Sequence, residues 1–137
     1  MKFSKLILST SLALSIGTGL VNTNTASATS GGWNEETGYY VNEEQGGISL
    51  SAASKPESHT ANIEYGGSSS TVLLERVVGT TKWANKYHYT RARYESSIGS
   101  GVQGDSGRVW GTSTTIAKSS WLEKFWNYAR TYWGSEA

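Results

Sequence analysis

The stretch HTANIEYGGSSSTVLLERVV, from His59 to Val78, decides the fold. Apolar and polar residues alternate from His59 to Tyr65, and a period of two residues is typical of a half-buried strand. The Gly and Ser residues that follow predict a flexible turn. The apolar residues of Thr71 to Val78 predict a central strand that is buried on both faces for part of its length. The two segments together predict a β-hairpin.

Similar signals continue on both sides of this hairpin. They predict a turn at Gly79 to Thr81, a long Gly-rich loop at Ser96 to Gly107, and strands at Tyr39 to Val41, Gly47 to Ala52, Tyr87 to Glu95 and Arg108 to Ala117. Short strands joined by Gly and Ser turns are typical of antiparallel architectures. The sequence therefore predicts a mainly β protein, a small antiparallel β-sandwich or barrel of about five to seven strands.

The pattern changes near the C-terminus. Ser120 and Glu123 match the capping box that begins many helices, and Gly134 stands where a helix would end. Between them, apolar residues recur at three- and four-residue spacing: Trp121, Leu122, Phe125, Trp126, Ala129, Tyr132 and Trp133. These signals predict one C-terminal amphipathic α-helix over residues 120–133, packed against the sheet. Its aromatic stripe either completes the core or stays partly exposed as a surface for a partner or a membrane interface.

Residues 1–28 have the three parts of a secretory signal peptide. Two lysines form a basic start, an apolar stretch runs from Leu6 to Val21, and Ala26 to Ala28 supplies the small residues that signal peptidase reads. The apolar stretch is shorter than the roughly 20 residues that span a bilayer. We therefore expect cleavage after Ala28 and release of a secreted, extracellular protein with no transmembrane span in the mature chain.

Charge divides the remaining residues into two parts. Residues 29–64 hold six Glu and one Lys, whereas residues 65–137 hold nine Lys or Arg and five acidic residues. We interpret residues 29–46 as an acidic, Gly-rich arm and residues 47–137 as a single β-rich domain. The two charged parts either attract each other on folding or serve a partner. The basic part is too mixed for a nucleic-acid interface, so we expect no nucleic-acid partner.

Composition leaves few groups for catalysis. The 137 residues include no Cys, two His and a single Asp, which excludes disulfides, thiolate metal sites and Cys nucleophiles. The tetrapeptide Gly104-Asp105-Ser106-Gly107 resembles the nucleophile motif of chymotrypsin-like proteases, and His59 and His88 precede it. A catalytic triad, however, needs a separate acid to orient its His, and the tetrapeptide is also ordinary turn chemistry. We therefore expect no catalytic residue, no metal site, no cofactor and no enzymatic activity.

Two groups of residues suit binding. Between Tyr87 and Glu95 the alternation places four side chains on one face, opposite His88: Tyr87, Tyr89, Arg91 and Arg93. Phenol rings and guanidinium groups hold carboxylates, phosphates or glycans by stacking and bidentate hydrogen bonds, unless the terminal helix covers this face. The second group belongs to the aromatic stripe of the predicted helix: Trp121, Phe125, Trp126 and Trp133. Trp33, in the Gly-rich arm, either anchors a binding partner or packs onto the domain and so holds the arm in place.

Three short motifs stand in the order found in a known family. They are Gly31-Gly32-Trp33, then Ser54-Lys55 with His59 to Ile63, and finally Lys82-Trp83-Ala84-Asn85. In this order they resemble the lactococcin-972 family of secreted bacteriocins, although that family has one residue between the glycines and the Trp. The resemblance singles out Trp33, His59, Lys82 and Trp83, and it implies a small β-sandwich. It also implies an antibacterial protein that acts on cell-envelope assembly by binding, without an enzyme active site.

Export, the lack of catalytic groups and the excess of aromatic residues lead to one functional expectation. We expect a secreted, monomeric, non-enzymatic binding protein, a bacteriocin-like antibacterial that acts at the target cell envelope. Its partner would be an envelope component or an extracellular protein or glycan. The alternative is an extracellular surface, matrix or host-interaction protein that docks through its aromatic C-terminal helix.

Overall fold

The computed structural model describes residues 29–42, 55–69 and 72–136 of the chain. These residues form one antiparallel sheet of eight strands, which curls into a half-barrel. The strands are β1 (Ser30–Asn34), β2 (Gly38–Asn42), β3 (Ser58–Ser69), β4 (Val72–Ser96), β5 (Val102–Gln103), β6 (Val109–Lys118), β7 (Leu122–Glu123) and β8 (Asn127–Ser135). The prediction of a mainly β, antiparallel protein is confirmed, but the described residues form one curled sheet and not a sandwich of two.

β4 is the central strand of this sheet. β3 and β8 pair with successive parts of one edge of β4, β1 pairs with β8 and β2 with β1, while β5, β6 and β7 pair with the other edge of β4. The first half of β4, Val72 to Lys82, pairs with β3, which confirms the predicted hairpin. Its second half, His88 to Ser96, pairs with β8 along the same edge. One strand of 25 residues therefore brings all the other strands except β1 and β2 together.

A bulge separates the two halves of β4. Three residues lie between the paired positions Trp83 and Tyr87, whose partners on β6 are consecutive. Within the bulge Asn85 has a φ of 57°, a left-handed conformation that Asn tolerates better than most residues. An odd number of extra residues inverts the alternation of the strand. Odd-numbered side chains such as Trp83 are therefore buried before the bulge, and even-numbered ones such as His88 are buried after it.

The turn predicted at Gly79 to Thr81 is wrong, because β4 continues through these residues. Gly79 serves close packing. A Cβ atom at this position would lie 3.0 Å from Cβ of Thr131 and 3.1 Å from Cγ2 of Thr90, on the buried face of the sheet. Glycine is therefore required at position 79 because β8 packs closely against it, and not because the chain turns there.

The α-helix predicted over residues 120–133 is wrong. The segment holds β7 and most of β8, and the described residues contain no helix, hence none long and apolar enough to cross a membrane. Burial along β8 has a period of two, with alternate residues buried: Asn127, Ala129, Thr131 and Trp133. Tyr, Thr and Trp favour strands, and β8 satisfies its backbone by pairing with β4 and β1. The spacing that indicated a helix arises from adjacent aromatic pairs such as Tyr132 and Trp133, which fit either period.

The N-terminal part of the described chain continues the sheet beyond β8. β1 and β2 form a hairpin, and β1 pairs with β8. β2 contains the strand predicted at Tyr39 to Val41, whereas β1, at Ser30–Asn34, carries no strand signal in the sequence. The predicted signal peptide (1–28), the rest of the predicted arm (43–46) and the strand predicted at Gly47 to Ala52 lie outside the described residues.

The core lies on the inner face of the sheet. Its buried apolar residues are Val77, Ala92, Tyr94, Ala117 and Ala129, with Trp33, Ile63 and Leu122 packed against them. Buried hydroxyl groups extend this interior: Thr81, Thr90, Thr115 and Thr131. Buried hydroxyls need hydrogen-bond partners, so this interior sets the strand positions with polar as well as apolar contacts.

Candidate functional site

The segment Tyr87 to Glu95 of β4 has the two faces that its alternation predicts. The fully buried residues of the inner face are His88, Thr90, Ala92 and Tyr94. The partly or largely exposed residues of the opposite, outer face are Tyr87, Tyr89, Arg91 and Arg93. The bulge decides this outcome, because without it Tyr87 and Tyr89 would continue the buried, odd-numbered series of the first half of β4.

Four side chains on the outer face form a cluster that we call the aromatic platform: Tyr87, Tyr89, Arg108 and Trp110. The rings of Tyr87 and Trp110 are stacked, with centroids 5.2 Å apart and planes at 15°. Tyr89 meets Trp110 edge to face at 5.0 Å, and the guanidinium carbon of Arg108 lies 4.7 Å from the centroid of Tyr89. Contacts of these kinds hold the rings in fixed positions. Tyr87 is still 51% exposed, so the platform is open to solvent.

Strand register brings the platform together. Tyr89 pairs with Trp110 on β6 and with Gly134 on β8. A Cβ atom at Gly134 would lie 2.6 Å from Cε1 of Tyr89, so only glycine leaves room for the ring to lie over β8. The platform is therefore built on the backbone of three paired strands and not on a loop.

The guanidinium groups of Arg91 and Arg93 are engaged within the protein. Arg91 and Asp105 form a bidentate ion pair, with Nε 2.8 Å from Oδ1. Their hydrogen bond raises the pKa of Arg91 and lowers the pKa of Asp105. Arg93 forms an ion pair with Glu95, with Nη2 2.5 Å from Oε1, and its guanidinium lies 4.8 Å from the ring centroid of Tyr132. These two arginines neutralise neighbouring carboxylates, so they do not offer free cations to a ligand.

Glu95 is the centre of a second polar group on the outer face. Burial alone would raise its pKa, but hydrogen bonds from Tyr132 and Arg93 hold the pKa of Glu95 below its usual range. Arg130 adds a second positive contact beside Arg93, with Nε 3.1 Å from Oε2 of Glu95. Beside this group, burial raises the pKa of Tyr40 to about 12. The outer face thus has an aromatic end and an ion-paired end.

His59 lies on the inner face, inside a chain of hydroxyl groups. Its Nδ1 is 2.9 Å from the hydroxyl of Thr81, and its Nε2 is 2.7 Å from the hydroxyl of Thr131. Thr81 accepts a hydrogen bond from Thr90 at 2.6 Å, so its own proton is available to Nδ1. A neutral ring that donates from Nε2 fits this chain, and burial lowers the pKa of His59 to about 4. His59 therefore ties β3 to β8 across the interior.

The residues of the three sequence motifs come together in the fold. Trp33 packs against the core, with its ring 6.5 Å from that of Tyr39, and Tyr39 in turn meets His59 edge to face at 6.3 Å. Lys82 pairs with Ser58, next to His59 on β3, and Trp83 follows Lys82 on β4. Trp83 is buried and Lys82 is exposed. Motifs that are far apart in the chain therefore meet at one end of the half-barrel.

The four aromatic residues expected on the helix are divided between different environments. Trp133 is 3% exposed and meets the buried Trp83 edge to face at 5.7 Å. Trp121 lies beneath Arg76, whose guanidinium carbon is 4.5 Å from the ring centroid. Phe125 and Trp126 are largely exposed in the connection between β7 and β8. The predicted single aromatic stripe does not exist.

The tetrapeptide Gly104-Asp105-Ser106-Gly107 anchors a loop to β4. The hydroxyl of Ser106 accepts a hydrogen bond from the amide of Ala92 at 2.9 Å and donates to the carbonyl of the next residue at 2.7 Å. The amide of Ser106 donates to the carbonyl of Ala92 at 2.9 Å. The contacts of Ser106 are thus those of a residue that anchors the loop to β4.

His88, the second histidine that precedes this tetrapeptide, donates a hydrogen bond from Nδ1 to the carbonyl of Lys86 at 2.8 Å.

Sequence reasoning missed two members of the platform, Arg108 and Trp110. The alternation of β6 places Trp110 on its outer side, but the partner of that ring depends on the bulge in β4, which has no clear sequence signal. An aromatic residue near the start of a strand, opposite a predicted Tyr-rich strand, is the signal that could have found it.

The assignment of the platform as a candidate site depends on its geometry alone, because comparison with known proteins identifies no relative of this chain. No family model, curated protein or solved structure matches this chain.

Proposed function

We propose that this chain is a secreted, non-catalytic binding protein that recognises a glycan component of a target cell envelope through the aromatic platform. The observation that carries the proposal is the stacked, solvent-facing cluster of Tyr87, Trp110 and Tyr89. The apolar C–H face of a sugar ring packs on flat aromatic rings, whose faces carry partial negative charge. Because neighbouring side chains already hold these rings, a ligand loses little free energy in ordering them.

Arg108 gives the platform a charge preference. It lies over Tyr89, and it forms no ion pair among the described residues, in contrast to Arg91 and Arg93. A guanidinium group binds carboxylate or phosphate through paired N–H donors. The best ligand is therefore a sugar that carries an anionic substituent, as bacterial envelope polymers do.

The resemblance to secreted bacteriocins adds an antibacterial role to this proposal. Its support is that the three motifs, which are separate in the chain, lie next to one another around His59 and Trp83. These residues form part of the packed interior, which stabilises the sheet that carries the platform on its outer face. We therefore propose a bacteriocin-like protein whose motif residues maintain the fold and whose platform makes the contact.

A binding and growth experiment tests the proposal. The purified protein is mixed with isolated bacterial cell walls, and the bound fraction is measured by co-sedimentation beside growth curves for a panel of strains. We expect Trp110→Ala to weaken wall binding by about tenfold or more, since central aromatic anchors dominate such surfaces. Trp126→Ala is the matched control, because it removes an exposed Trp far from the platform, and both variants are first checked for unchanged thermal unfolding.

Each result bears on a separate part of the proposal. Equal wall binding by Trp110→Ala and Trp126→Ala would remove the platform as the binding site. Wall binding without any effect on growth across the panel would remove the antibacterial role and leave a wall-binding protein. The alternative of a surface or matrix protein that docks through a C-terminal helix has no support, since the described residues contain no helix.

A further inference from the structure

Two neighbouring loops at one end of the sheet carry very exposed apolar side chains. Among the described residues, Trp126 and Ile98 are the two most exposed large apolar residues, at 75% and 71%, and Phe125 is 62% exposed. Ile98 lies in residues 97–101, between β4 and β5, and the other two lie between β7 and β8. We call these three side chains the apolar tip.

Hydrogen bonds hold the apolar tip in place. The amide and the hydroxyl of Ser97 both donate to the carbonyl of Trp126, each at 2.7 Å. The hydroxyl of Ser96 donates to the carbonyl of Ile98 at 2.8 Å and accepts from its amide at 3.1 Å. At the base of the tip, Asn127 is buried and donates to the side chain of Gln103 at 3.2 Å. The two loops are thus fastened to each other while their apolar side chains face solvent.

Charge contributes little to this surface. Residues 96–101 carry no charged side chain. Lys124, the cation next to Phe125, is paired with Glu35 and lies 3.9 Å from Glu75. A partner that binds the tip must therefore be attracted by its apolar surface and by the interfacial preference of Trp and not by charge.

We propose that the apolar tip inserts into the interfacial layer of a lipid bilayer. Aromatic side chains bury about 150–250 Å² each, so three side chains fall short of the roughly 800 Å² per partner of a stable protein interface. A fluid interfacial layer can close around a small exposed apolar surface of this kind without needing a matching protein surface. The inference goes beyond the proposed function, because it requires no glycan and does not use the platform.

The position of the tip is compatible with simultaneous use of the platform. Ser96 pairs with Asn127 at the tip, whereas Tyr89 pairs with Gly134 near the platform. Seven residues of extended strand separate these pairs, which corresponds to about 20 Å. A molecule held by its tip would keep the platform clear of the membrane surface, at the level of head groups and of the polymers attached to them.

Vesicle flotation tests the tip. The chain expected after cleavage, residues 29–137, is mixed with glycan-free vesicles of phosphatidylcholine, with or without phosphatidylglycerol, and the floating fraction is measured at low and high salt. We expect binding to both vesicle types with little change in high salt. Trp126→Ala should lower the partition coefficient by about tenfold, and Ile98→Ser should lower it less, because it removes a smaller apolar surface.

Trp110→Ala separates this result from that of the platform. It should float as the wild type does, even if it no longer binds cell walls. The proposal is overturned if neither vesicle type is bound, if binding requires the anionic lipid and disappears in salt, or if Trp126→Ala floats normally. It is also overturned if Trp126→Ala abolishes a concentration-dependent self-association, since the tip would then serve a second copy of the chain. None of these outcomes depends on whether the platform binds glycan.

Discussion

At the residue scale, the surroundings of His59 determine how the protein responds to acid. Its two ring nitrogens contact the hydroxyls of Thr81 and Thr131 inside the sheet, where a charged imidazolium would be poorly solvated. The folded protein therefore disfavours protonation of this ring, whereas the unfolded chain protonates it near its ordinary pKa.

The pH dependence of stability should show this difference. The pKa of His59 falls from 6.5 in the unfolded chain to about 4 in the folded protein. The unfolded state therefore binds the extra proton as the pH falls from 6.5 towards 4, and the free energy of unfolding should decrease by about 3 kcal/mol over this window. Urea unfolding of the wild type and of His59→Gln at several pH values measures it. Parallel curves for the two proteins would contradict the assignment.

The glycines of the first motif are fixed by close packing. A Cβ atom at Gly32 would lie 2.1 Å from the carbonyl oxygen of Thr131, and one at Gly31 would lie 2.5 Å from that of Tyr40. Neither distance can be relieved without moving backbone. These glycines therefore allow β1 to lie between β2 and β8, and they do not act as flexible linkers.

Substitution of Gly32 should reveal this constraint. We expect Gly32→Ala to lower the free energy of unfolding by about 2 kcal/mol or more, because the added methyl group must displace a strand. Gly101→Ala is the matched control, since the nearest atom to its Cβ is 3.5 Å away. The control should change stability by less than about 0.5 kcal/mol. Equal effects in urea unfolding would show that β1 does not pack as described.

At the element scale, β8 is the strand on which the structure and the sequence pattern differ most. Its aromatic residues fit a helical spacing, yet it alternates between buried and exposed positions and pairs on both sides. In a helix Trp126 and Trp133 would share one buried stripe. In the sheet Trp133 is buried and Trp126 is exposed.

A pair of substitutions distinguishes these arrangements. Trp133→Ala should destabilise the protein by about 3–5 kcal/mol, because it leaves a large cavity beside Trp83. Trp126→Ala should change stability by less than about 0.5 kcal/mol. Thermal or urea unfolding measures both. Similar losses for the two variants would favour a helix with a common buried stripe.

The elements that the sequence predicts well are those with an unambiguous local pattern. The hairpin of β3 and β4 and the two faces of Tyr87 to Glu95 follow from alternation over many residues. β8 does not, because its adjacent aromatic residues fit both periods and its neighbours β1 and β4 decide the outcome. β1 has no local signal, since Gly31 and Gly32 have low strand propensity and are specified by contacts with distant residues.

At the scale of the whole molecule, one bulge connects the fold to the candidate site. It inverts the alternation of β4, so Tyr87 and Tyr89 reach the outer face while His88 and Thr90 fill the interior. The sequence predicts the two tyrosines, but Trp110 becomes part of the platform only through the register between β4 and β6. The alternation of β4 also predicts the face on which Arg91 and Arg93 lie. It does not reveal that Arg91 forms an ion pair with Asp105 and Arg93 with Glu95.

The measurement that tests the central claim most directly is a nuclear magnetic resonance titration of the tryptophan indole N–H signals. The chain contains six Trp, so a solubilised, anionic cell-wall glycan can be followed at six positions at once, with Trp110→Phe used to assign the platform signal. We predict that the Trp110 signal shifts in a saturable manner while those of the buried Trp83 and Trp133 and of the distant Trp126 stay in place. Saturable shifts at Trp33 and Trp133 with an unchanged Trp110 would contradict the platform and move the binding site to the other side of the sheet.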